Sequence, residues 1–279
     1  MPDPAQLFLP PPALSGCVFA AIGRDTRGLN LRHADRFNHF PASPLCALNI
    51  VMQGETRMVA SGTRPEDAPV LARVTLSGPQ SAPVTSWSPG EVVALSIGLY
   101  PDAVARLTGV DVVALADRTV TDVPAPLDRV ALAVLGVAEP AAGWLRAANA
   151  LQALWAQERD ARAEGATARI GDWARDVATR AALSGPGTSL RAIERRLKRL
   201  SGASRRTLDH FARIEALQAR VTRDRDAPLA ALAHDAGFSD QSHMGRALRR
   251  TTGFSPAQIN RLIETEEPFW AYRLMGERF

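Results

Sequence analysis

Two arginines, Arg195 and Arg246, stand 51 positions apart inside one repeated pattern of residue types. Around the first the chain runs from Ile193 to Ser204 as IERRLKRLSGAS, and around the second from Met244 to Ser255 as MGRALRRTTGFS. Both copies set an apolar residue, an arginine, a second apolar residue, two basic residues, a glycine and a serine at the same spacing. A guanidinium is a flat fork of donors that matches a guanine edge or a phosphate. Repetition at a fixed offset means one supersecondary unit used twice. A short basic helix with an apolar back and a glycine turn has the shape and charge to enter a DNA groove.

The second copy comes with the elements needed to position it. Leu229–Asp235 reads as a short helix, and Ala236, Gly237 and Phe238 as the tight turn after it, where glycine tolerates the left-handed backbone. Ser239 or Asp240 is placed to cap the next helix. Met244 and Leu248, four residues apart, turn inward with Phe238. The opposite face carries Gln241, Ser242, Gly245 and Arg246. Glutamine suits adenine, arginine suits guanine, and Gly245 allows close approach; Arg249 and Arg250 are better placed for phosphate. Upstream, Leu208, Phe211, Ile214, Leu217 and Val221 describe one face of a connecting helix. Downstream, Ser255 and Pro256 open a final helix expected to run to about Glu267.

The stretch from Leu232 to Pro256, LAHDAGFSDQSHMGRALRRTTGFSP, resembles the signature of AraC/XylS-type transcriptional regulators. The resemblance covers roughly residues 166–262 and implies two helix-turn-helix units joined by a long helix. It implies a second recognition helix at Asp240–Thr251 and a first at Leu190–Leu200, with Arg191, Glu194 and Arg195 facing DNA and Arg199 beside them. Glu194 could accept from a cytosine amino group or repel phosphate. His243 reads as a surface or phosphate-facing residue. The sequence departs from the family in one place: Ala182 to Ser189, ALSGPGTS, is a Gly/Pro loop where a compact helix and tight turn are expected.

The first half reads mostly as strands, at Cys17–Ile22, Leu45–Met52, Thr56–Ala60, Val70–Leu76 and Val92–Leu99, separated by Gly/Pro/Ser turns. Short helices are expected at Asp102–Leu107 and Asp111–Ala116, and longer ones at Leu127–Val137, Trp144–Ala163 and Ala168–Leu183. The fold class is therefore α+β in two domains: a mostly-β, barrel-like first domain with short helices, then an all-α double helix-turn-helix domain. The first domain also resembles, loosely, the small cupin-like barrels that sense effectors in such regulators. The expected units are a sensor or dimerisation domain over 1–125, a helical linker over 126–164 and a DNA-binding domain over 166–279. The break falls at 162–167, around Gly165.

Charge follows the same division. Residues 1–164 carry 13 basic and 16 acidic side chains, and residues 165–279 carry 20 and 13. A basic second half is the electrostatic footprint of a nucleic-acid partner. Cys17 and Cys46 lie in apolar surroundings and read as core thiols. His33 and His39 have no third ligand at metal spacing, and no nucleophile elbow or phosphate loop appears, so neither metal, cofactor nor catalysis is expected. Trp87, Trp144, Trp155 and Trp173 read as core anchors. No leader and no membrane-length apolar run is seen, so a cytoplasmic protein is expected. The expected partners are double-stranded DNA, RNA polymerase and a small-molecule effector within the first domain, whose residues the sequence does not name. No membrane partner is expected, and the chain is read as a monomer or homodimer. The alternative is a ligand-binding barrel whose basic helices meet an acidic protein.

Overall fold

The computed structural model describes residues 4–158, 169–185, 189–224 and 228–276. Six strands form one antiparallel sheet, in the order β1 (Ala5–Phe8), β2 (Val18–Asp25), β8 (Val93–Leu99), β4 (Cys46–Gln53), β6 (Val74–Ser77) and β9 (Thr119–Val120). A second antiparallel sheet holds β3 (Phe37–Phe40), β7 (Val84–Trp87) and β5 (Arg57–Met58). The barrel-like expectation resolves into two sheets without closure among the described strands. The edge strands β5 and β9 have two residues each, too few to carry a ladder across the gap.

Alternation along the central strands sets the two faces of the large sheet. Leu48 and Ile50 of β4, with Leu95, Ile97 and Leu99 of β8, point one way and are fully or almost fully buried. That face is covered by α3 (Leu127–Val134) and α4 (Pro140–Glu158), which bring Leu127, Val130, Leu151 and Trp155 into the same core. These helices therefore form the back layer of the sheet. The alternate positions are small or polar: Ala47 and Asn49 on β4, Ala94, Ser96 and Gly98 on β8. Small side chains on that inner face leave a cavity of about 480 Å³ lined by both sheets.

Two further helices, α1 (Pro101–Thr108) and α2 (Val112–Leu115), follow β8. Gly109 ends α1 in the left-handed conformation, φ 73°, as its position after the apolar run suggests. The remaining helices are α5 (Ile170–Leu183), α6 (Leu190–Ser201), α7 (Arg205–Arg223), α8 (Leu229–Asp235), α9 (Gln241–Thr252), α10 (Pro256–Thr265) and α11 (Trp270–Leu274). The final helix stops earlier than expected, at Thr265, because Pro268 sits in a 3-10 turn over Glu267–Phe269 before α11 begins. The expected break at 162–167 and the loop residues 186–188 lie outside the described residues.

The apolar interior divides inside α7. Trp173, Val177, Leu197 and Leu208 belong to the core of the sheet and its helices. Ile214, Leu217 and Val221 belong to a second core with Leu232, Phe238, Met244, Leu248 and Ile259. The five-residue apolar face read from the sequence thus bridges both cores. Cys17 and Cys46 are buried thiols in the first, and burial pushes both up to about 12, so they stay protonated.

Candidate nucleic-acid interface

The repeat is a repeat of structure down to individual hydrogen bonds. Ser189 caps α6 by accepting from the Ala192 N–H at 3.3 Å, and Asp240 caps α9 by accepting from the His243 N–H at 2.7 Å. That contact and the Ser239 hydroxyl hold the Asp240 carboxyl below the usual carboxylate range. Of the two caps considered for α9, the aspartate is the one used. Both helices end on a left-handed glycine, Gly202 at φ 69° and Gly253 at φ 85°. Both then restart on a serine cap, Ser204 for α7 and Ser255 for α10, the latter in a full capping box with Gln258.

A buried hydroxyl one position before each glycine completes the match, and the sequence pattern did not single it out. The Ser201 hydroxyl donates to Leu197 O at 2.8 Å, and the Thr252 hydroxyl donates to Leu248 O at 2.9 Å. Each hydroxyl oxygen also accepts from the N–H two residues on, Ala203 at 3.2 Å and Phe254 at 3.1 Å. The turn after each of α6 and α9 is therefore locked from inside. A Ser/Thr preceding the shared glycine was the available signal.

The inward face of α9 is Met244, Ala247 and Leu248, packed with Phe238 as expected. Its outward face exposes Gln241, Ser242, Arg246, Arg249 and Arg250, with Gly245 half-buried between them. On α6 the exposed residues are Arg191, Glu194, Arg195, Lys198 and Arg199. Among the described residues, none of Arg191, Arg195, Arg199, Arg246, Arg249 and Arg250 is in an ion pair. By contrast the α5 arginines Arg175 and Arg180 are held by Asp172, Asp176 and Asp102. Arg196 is buried, and its Nε donates to Ala181 O at 2.6 Å, fastening α6 to the end of α5.

His243 is half-buried, its ring edge-on to Phe238 and its Nδ1 3.1 Å from the Ser239 hydroxyl. Nearby, His210 of α7 lies 2.9 Å from the Thr251 hydroxyl. Burial, followed by the Arg250 and Arg213 charges, pushes His210 down to about 4, so it is neutral near pH 7. In the first domain, His39 packs on Phe269 with ring centroids 4.7 Å apart, while His33 bonds Glu66 at 2.6 Å. Trp87, Trp155 and Trp173 are buried, and Trp144 stacks on Phe8.

Both units also touch the sheet domain. The Asp102 carboxylate accepts from Trp173 Nε1 at 2.8 Å and from Arg180 at 2.6 Å, tying α5 to α1. Asn38 accepts from Trp270 Nε1 at 2.8 Å, Arg24 pairs with Glu267 at 2.5 Å, and the Ala42 N–H donates to Thr251 O at 2.8 Å.

Two capped helices, each preceded by a scaffold helix and joined through a third, with unpaired arginines outward, define a helix-turn-helix DNA-binding protein. A family model for a helix-turn-helix domain matches residues 186–261. That segment is an AraC-type helix-turn-helix domain, and the chain is a DNA-binding regulator built on it. The match begins after α5, so the helix preceding the first recognition helix falls outside it. No protein of curated function matches the chain significantly.

Among solved structures, ToxT from Vibrio cholerae is similar at 12% identity, over 80% of this chain and 94% of that one, with a TM-score of 0.38. ToxT bound to (E)-4-(8-methylnaphthalen-1-yl)but-3-enoic acid matches at 10% identity over 80% and 94%, TM-score 0.37. ToxT with an unsaturated fatty acid bound matches at 12% over 80% and 93%, TM-score 0.36. At these values no likeness bears on the operator or the ligand of this chain. No described helix is long and apolar enough to cross a membrane.

Proposed function

We propose that the chain is a sequence-specific transcriptional regulator that sets α6 and α9 into successive major grooves on one face of the duplex. The matched capping of the two helices, with unpaired arginines on the outward face of each, carries this reading. Arg195 and Arg246 take equivalent places and read base edges. Gln241, Ser242 and Gly245 join Arg246, while Arg191 and Glu194 join Arg195. Arg199, Arg249 and Arg250 hold phosphates and fix register.

The units proposed are a sensor over 1–125, the helices of 126–164 that back its sheet and lead on to the next unit, and the DNA-binding unit over 166–279, with a small molecule held by the first. The protein acts by binding, in the cytoplasm, as a monomer or homodimer that meets RNA polymerase at the promoter. Arg246→Ala is expected to cost ~1–3 kcal/mol on the cognate site and to relax its sequence preference, whereas Arg250→Ala weakens all duplexes alike. Fluorescence anisotropy against cognate and random duplexes checks this. Unchanged cognate affinity in Arg246→Ala sinks the assignment.

A further inference from the structure

The cavity between the sheets has walls whose chemistry selects what can fill it. At about 480 Å³ it falls within the size range of pockets that take drug-sized ligands, ~300–1,000 Å³. Apolar side chains such as Phe19, Ile22, Phe40, Met58, Phe211 and Ile214 supply much of the wall. Apart from Arg24 and Glu215, the polar part is neutral. Asn49 is the hub of one patch: Ser96 donates to its Oδ1 at 2.6 Å, and its Nδ2 donates to Ser77 at 3.2 Å. Ser77 in turn lies 2.9 Å from the Thr119 hydroxyl. On the facing sheet, Asn38 donates to Ser86 at 3.3 Å.

Among the described residues the wall holds two charged side chains, and both are engaged. Arg24, 4% exposed, pairs with Glu267 at 2.5 Å and lies over the Trp270 ring. Glu215 accepts from the Ile170 and Gly171 N–H groups at 2.7 and 2.9 Å, closing the start of α5. An incoming ammonium would meet no unengaged carboxylate, since Glu215 holds two N–H groups. An incoming carboxylate would have to compete for Arg24 with Glu267, which Arg273 also holds at 2.8 Å. Both ions would lose their water, which disfavours them. Hydroxyl and carbonyl groups are different, because serine, threonine and asparagine can turn to meet them.

We propose that this cavity is the binding site of a neutral, largely apolar molecule carrying hydroxyl or carbonyl groups. The proposal rests on the reading that the first domain holds an effector, and adds its place and chemical class. The site is not confined to the sheets. Phe211, Ile214, Glu215 and Gln218 of α7 and Thr251 of α9 complete the wall, so the occupant touches the helix joining both recognition units.

Calorimetric titration of the full chain with 1-decanol, decanoate and decyltrimethylammonium, matched in chain length, tests this. Decanol is expected to bind at least ~10-fold tighter than either ion. Glu267→Gln, which removes the carboxylate from Arg24, should narrow the gap to decanoate by raising decanoate affinity. Ala94→Phe, or Ser96→Leu if the first does not fold, fills the inner face and should abolish decanol binding. Decanoate binding as tightly as decanol to the unaltered chain overturns the neutral class but leaves an effector site standing. Decanol binding that survives the filled cavity overturns the location. Binding of none of the three overturns the site and the effector reading together.

Discussion

The two helix-turn-helix units share a sequence pattern, a capping scheme and a locked C-terminal turn, yet they are anchored differently. The first unit has no interior of its own. Trp173, Val177, Leu197 and Leu208 are buried with Leu99, Tyr100, Val104 and Val112 of the sheet domain. The second has its own interior, from Ile214 to Tyr272, and meets the sheet domain where the 3-10 turn and α11 lie along β3 and β1, through polar and aromatic contacts at Arg24, Asn38, His39, Phe40 and Ala42. Continuous apolar packing transmits displacement rigidly, while a few polar and aromatic contacts can be exchanged. Helix α6 is thus continuous with the core of the sheet domain, while α9 stands on a separate core joined to it through α7. Wall residues of the cavity lie on that same helix, so an effector bound as proposed would bear on the spacing of α6 and α9.

The sharpest break between the units should come from their cores. Trp173→Ala and Phe238→Ala each remove a buried aromatic and are expected to cost ~3–5 kcal/mol. Hydrogen exchange should separate them: Trp173→Ala loses protection in the sheet domain and α5–α6 together, Phe238→Ala in α8–α10 alone. Equal spread from both would erase the distinction.

A smaller difference is expected at the paired glycines. Alanine at either position must adopt a positive φ, at ~1–2 kcal/mol. At Gly202 the added methyl would also sit 3.2 Å from Pro79 and from the Val112 carbonyl oxygen, whereas at Gly253 the nearest atom is Pro83 at 3.6 Å. Denaturant melts should therefore place Gly202→Ala below Gly253→Ala in stability. The reverse order would mean that the first unit yields at this contact.

Much of the helical half was legible because long amphipathic elements carry many independent signals. The α7 face, the α8 bounds, the turn at Gly237 and the inward Met244 and Leu248 all follow from spacing and caps. The start of α4 at Pro140 was not read, although proline suits a first helical turn. The strands β1, β3, β7 and β9 were missed for a different reason. They have two to four residues, and polar Asn38, His39, Thr85 and Ser86 interrupt any apolar run in the small sheet.

The cavity was illegible because it is made by what is small. Ala47, Ala94, Ser96 and Gly98 alternate with large residues as in any half-buried strand, and only the sheet opposite turns that face into a space. Asp102, Arg24 and Glu267 likewise look like ordinary surface charges until their partners, 78 and 243 residues away in sequence, are known. On the helices, the outward placement of Arg195 and Arg246 was legible through the repeat, while Arg196, next to Arg195, is buried and holds α5.

Selection of bound duplexes from a random pool by the unaltered chain tests the central claim most directly. Two helices reading successive grooves predict an enriched motif of two blocks, about one helical turn of ~10 base pairs apart. A single enriched block would leave α9 as the only reader, and no enrichment at all would contradict sequence-specific recognition by this chain.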